Sequence, residues 1–96
     1  MKIPKTLQIG GKTYSIITGY KFKERSDLVG YCDTALQQIL LSATDGQGNK
    51  AHVEHIGETF FHEVLHAIDA VYNAGKLEEE TVSGLSEGLF QVFKQL

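Results

Sequence analysis

Residues 62–66 read His-Glu-Val-Leu-His, and this spacing constrains the chain more than any other feature. A helix repeats every 3.6 residues, so His62 and His66 project from nearly the same face, one turn apart. There they can grip a single metal ion, while Glu63 reaches a water bound to it. HExxH on a helix is the minimal zinc-hydrolase pattern. Around it, Phe61, Val64, Leu65, Ile68, Val71 and Tyr72 form a broad apolar stripe flanking the histidines. That pattern predicts a helix packed on a core, with both imidazoles at the core's edge.

The chain has 96 residues, which makes one small domain with a single core and little stability to spare. A bound metal would add to it. Cys32 is the only cysteine, which excludes an intramolecular disulfide and a thiolate zinc cluster. It reads as a small buried residue, the alternative being a thiolate that caps the metal in a latent form. No segment approaches the length of a signal peptide's apolar run or of a membrane span, so a soluble, cytoplasmic protein with no membrane partner is expected. Residues 1–50 hold seven Lys/Arg against four Asp/Glu, and residues 51–96 hold two against eight. The motif lies in the acidic half, which argues against a nucleic-acid partner.

Residues 1–49 are expected to be β-rich. A hairpin turns at Gly10-Gly11, with Ile9, Tyr14 and Ile16 facing inward. Residues 20–29 are either a connecting loop or an irregular short helix. A second hairpin uses residues 30–34 and 38–42, and residues 44–49 form a loop rich in turn formers. The HExxH helix is expected within residues 50–75, with Gly57 a weak point and Ala74-Gly75 as the stop. A second helix within residues 77–96 presents Val82, Leu85, Leu89, Val92, Phe93 and Leu96 as one apolar face. Its acidic first turn, Glu78-Glu79-Glu80, suits the positive end of the helix dipole. The fold class is therefore α+β.

Catalytic zinc takes three protein ligands and keeps a position for water, so two histidines leave the site incomplete. The longer HExxHxxGxxH pattern is absent, because Tyr72 stands where its third histidine would fall. The acidic turn 12 to 14 residues after His66 offers a carboxylate instead. With Val82, Leu85 and Leu89 taken as the buried face, Glu80 points away, Glu78 points into the face and Glu79 lies on its flank. Glu79 ranks first, then Glu78, then Glu87. The bland alternative for each is a solvated helix cap. Asp69, three residues past His66, is either a second-shell partner for an imidazole or a solvent-facing charge. His55 lies roughly 10 Å before His62 along the helix, too far to share an ion, and His52 is expected at the surface.

The pairing of HExxH-Ala-Ile-Asp with a downstream Glu-x-x-Val-x-x-Leu-Ser-x-Gly-Leu helix resembles the minimal zincin-like proteins of bacteriophages and prophages, related to the minigluzincins. The opening Met-Lys-Ile-Pro-Lys-Thr-Leu-Gln-Ile-Gly-Gly-Lys-Thr-Tyr is similar to them as well, so the resemblance covers nearly the whole chain. It implies a zincin-like fold, a small twisted sheet packed on the HExxH helix and a glutamate helix. It also implies Zn2+ on His62, His66 and Glu79, with Glu63 as general base. A phage origin would place the protein in a bacterial cytoplasm. The chain lacks the longer Asn-Glu-x-x-Ser-Asp motif of gluzincins, which leaves the third ligand open among Glu78, Glu79 and Glu87.

The expected activity is a zinc-dependent metallopeptidase that hydrolyses a peptide or protein substrate through an activated water, with Glu63 moving the proton. No second oxyanion donor can be assigned, His55 and Tyr72 being merely near in sequence. Two alternatives stand beside it: a non-catalytic binding or regulatory protein that keeps the zincin fold, and a structural zinc module.

Overall fold

The structure is a computed structural model that describes residues 2–96. Four strands come first: β1 (Thr6–Ile9), β2 (Lys12–Thr18), β3 (Gly30–Asp33) and β4 (Gln38–Leu41). Two helices follow, α1 (Val53–Tyr72) and α2 (Glu79–Phe93). The result is a small α+β domain with one four-stranded mixed sheet.

Alternation builds the first hairpin. Ile9, Tyr14 and Ile16 are all buried, as expected, and the residues between them face solvent. Gly10 turns the corner at φ +64°, in the left-handed region that glycine enters without penalty. The second hairpin joins β3 to β4 antiparallel. The two hairpins meet through β2 and β4, which run parallel with Ile16 opposite Ile39. Sheet order is β1-β2-β4-β3, so β4 is central and nearly all apolar, while β3 lies at an edge. The parallel seam depends on residues 19–29 crossing over the sheet end as an irregular loop, without a regular helix.

The layers are sheet, α1, then α2. α1 packs on the sheet, whereas α2 packs on α1 and touches no strand. Phe60 and Ala67 join Ile9, Tyr14, Ile16, Ile39 and Leu41 in the core, with Ile56, Val64 and Val71 packed against it. The apolar stripe expected on α1 is thus split. Phe61 turns to α2, its ring 5.7 Å from Phe90 and 5.4 Å from Phe93, while Ile68 and Tyr72 are exposed. A helix sandwiched between two layers buries two flanks, and a single-stripe reading cannot divide them. Gly57 is buried within an unbroken α1. No helix among the described residues is long and apolar enough to cross a membrane.

α2 departs further from expectation. Val82, Ser86 and Phe90 are its buried residues, and Leu85, Leu89, Val92, Phe93 and Leu96 are exposed. The buried stripe is rotated toward Ser86.

Candidate metal centre

His62 and His66 sit on the α2-facing flank of α1, with side chains 20% and 29% exposed. Their Nε2 atoms are 3.2 Å apart. Glu79, the first residue of α2, closes the group. Its Oε1 lies 2.6 Å from His62 Nε2 and its Oε2 lies 2.9 Å from His66 Nε2. Among the described residues this is the group of three whose donor atoms all fall within 4.8 Å of one another. Glu78 and Glu87 are not in it.

The fit to zinc can be tested on these distances. Two ligand atoms 2.0–2.1 Å from a shared tetrahedral ion lie roughly 3.3 Å apart, and the two imidazole nitrogens already hold that separation. The carboxylate oxygens, at 2.6 and 2.9 Å from the nitrogens, sit closer than roughly 3.3 Å and would have to open to admit the ion. Two neutral nitrogens and one anionic oxygen form an established catalytic donor set. Glu79 is 66% exposed, so the group faces solvent and leaves room for a further ligand.

Glu63 lies one residue from His62 yet points elsewhere, toward β3. Its side chain is buried at 7% exposure and accepts no hydrogen bond among the described residues. Burial is the main cause that raises its pKa to about 7, with the nearby Glu79 carboxylate adding to it. Gly30, at the start of β3, makes this placement feasible. A Cβ there would stand 2.5 Å from Thr59 Cγ2 and 3.0 Å from Glu63 Oε2. The sequence reading missed this role of Gly30, since its backbone angle is unremarkable and only the packing exposes the need.

Asp69 corrects both sequence readings. It is buried, and its carboxylate touches neither histidine. Oδ1 accepts from Asn73 Nδ2 at 2.9 Å, and both oxygens accept from Leu77 N–H, at 3.2 and 3.3 Å. The backbone carbonyl of Asp69 accepts from the N–H groups of Asn73 and Gly75, where Ala74 and Gly75 adopt left-handed φ angles that end α1. Asp69 therefore fixes the connection that delivers Glu79 to the histidines.

A cavity of about 330 Å³ opens beside the triad, lined by Val29, Gly30, Thr59, Glu63, Ser83 and Ser86 among others. His55 also lines it, with Nε2 buried and without a hydrogen-bond partner among the described residues. His52 is at the surface, as expected, where Nδ1 accepts from Glu54 N–H and caps α1. Tyr72 lies against Gly10, beside the first hairpin turn, and so drops out as an oxyanion donor. Cys32 packs against the core, and burial pushes its thiol up to about 12. It is not part of the His62, His66 and Glu79 group.

No protein-family model matches the chain, and neither does any curated protein or solved structure.

Proposed function

We propose that this chain is a zinc-dependent peptidase with a zincin-like arrangement, in which His62, His66 and Glu79 hold the ion and Glu63 moves the proton. The observation that carries the reading is the convergence of three ligand atoms within 4.8 Å beside a buried, unpartnered carboxylate. Zinc, when bound, supplies Lewis acidity toward a carbonyl and lowers the pKa of a coordinated water toward neutrality. Glu63 is suited to accept a proton at a carboxylate oxygen and return it to a leaving amine, because its affinity for the proton lies near neutral pH. A cation on the triad would offset the Glu79 charge and draw that affinity down.

Two further features support a peptide substrate. β3 is an edge strand whose first residue touches Glu63, so an extended chain paired along it would pass the general base. The cavity is open, and polar groups line much of it. A structural zinc module is disfavoured, because no fourth His, Cys, Asp or Glu joins the group among the described residues and Glu79 faces solvent.

The test is Glu63→Gln. It should retain zinc and fold while peptide hydrolysis drops by at least a hundredfold. Hydrolysis unchanged in this variant would exclude the mechanism. A wild type that binds zinc yet cleaves no member of a broad peptide library would favour the non-catalytic binding role.

A further inference from the structure

Resting on the peptidase reading, we propose that the cavity beside the metal centre selects the substrate by receiving a lysine or arginine side chain next to the scissile bond. Its volume of about 330 Å³ is at the lower end for a ligand pocket and suits one long side chain. Asp27, Glu58, Glu63, Glu79 and Glu87 line it, and among the described residues no Lys or Arg does. Charges of one sign around a recess draw the opposite charge into it.

The carboxylates divide by what already engages them. Glu79 belongs to the ligand group, Glu63 is the general base of the proposed reaction, and Asp27 pairs with Arg25 at 3.0 Å. Glu58 and Glu87 make no ion pair among the described residues, so a cationic guest would be their partner. Glu58 stands one turn before His62 on α1, about 6 Å along the axis, and Glu87 stands one turn beyond Ser83 on α2. From a backbone held at the metal centre, the four-carbon stem of lysine or the longer arm of arginine reaches that far. Leu28 and Val29 offer apolar wall to such a stem, and the small Ser83 and Ser86 leave room for it.

His55 asks for a hydrogen-bond partner independently of charge. Its Nε2 is buried in the cavity wall without a partner among the described residues, and the Glu63 side chain, 7% exposed, accepts no hydrogen bond among them either. Buried polar atoms are bonded in all but a few cases. With its proton on Nδ1, the His55 ring presents a lone pair at Nε2. An ammonium or guanidinium group brings N–H donors for the imidazole and the carboxylates together. An apolar side chain would leave them unpaired, and an acidic one would oppose the carboxylates.

The binding probe is butylguanidinium, with its neutral isostere butylurea as control, followed by NMR on the wild-type chain supplied with zinc. Butylguanidinium should bind saturably at roughly millimolar concentration and shift the His55 ring signals together with the Ser83 and Ser86 amides. Butylurea should bind about fivefold more weakly, the effect of one or two partly exposed ion pairs. The double variant Glu58→Gln/Glu87→Gln should lose that difference, with helix content unchanged by circular dichroism. In a digest of a denatured protein mixture, wild-type cleavage next to Lys or Arg should exceed cleavage next to Gln by about fivefold, and the double variant should remove most of that excess. Equal binding of the two probes overturns the proposal, as does cleavage with no basic preference. Selective binding of butylguanidinium by a chain that cleaves nothing retains the cation pocket and overturns the peptidase reading alone.

Discussion

At the scale of single residues, Glu63 is a carboxylate whose surroundings oppose its charge. The raised pKa of about 7 against the ordinary 4.5 means that the folded, metal-free chain binds this proton more tightly than the unfolded chain does. The stability this group contributes is therefore fully present below about pH 4.5 and is lost as pH rises through about 7. The loss is on the order of 3 kcal/mol by pH 8. Urea unfolding in chelator should show the wild type weakening across that window and Glu63→Gln staying nearly flat. Parallel pH profiles for the two proteins would contradict the assignment. Gly30→Ala addresses the same place from the sheet side. Its methyl would press on Thr59 and the Glu63 carboxylate, costing about 1–3 kcal/mol, and hydrolysis should fall with it. A neutral Gly30→Ala in both assays would show that β3 does not hold the Glu63 carboxylate in position.

At the scale of elements, what matters is how α1 and α2 meet. Asp69 offsets its own burial by tying Asn73 and Leu77 together, and Glu79 follows two residues later. Asp69→Ala should therefore cost about 1–3 kcal/mol through the unpaired groups it leaves. It should also weaken zinc affinity about tenfold or more by loosening Glu79, as measured by competition with a chelating dye. Loss of stability with zinc affinity unchanged would confine Asp69 to the α1 terminus. Much of this level was legible in the sequence: both hairpins, both helices and the stop at Ala74-Gly75. Those features rest on local chemistry, on periods of 2 and 3.6 and on turn residues. The buried face of α2 was not legible. Val82, Leu85, Leu89 and Val92 make an apolar stripe as regular as the one that is buried, and only docking against α1 selects Ser86 and Phe90 instead. Asp69 was misread because its partners belong to the chain reversal beyond α1, whose path periodicity does not reveal. The parallel pairing of β2 with β4 was equally hidden, being a long-range choice.

At the scale of the whole molecule, three layers leave α1 as the only helix in contact with the sheet among the described residues, and both histidines stand on its α2-facing flank. Zinc bound only by the folded state should stabilise it by about 2.7 kcal/mol at a hundredfold excess over the dissociation constant. A thermal melt with and without zinc should separate clearly in the wild type and coincide in His66→Ala. The most direct measurement is metal content by native mass spectrometry on protein purified without a histidine tag, in wild type, His62→Ala and Glu79→Ala. One zinc per chain in the wild type, lost in His62→Ala and weakened in Glu79→Ala, is the predicted result. A wild type that retains no metal after zinc is supplied, or a Glu79→Ala that binds as tightly as wild type, would contradict the three-ligand centre.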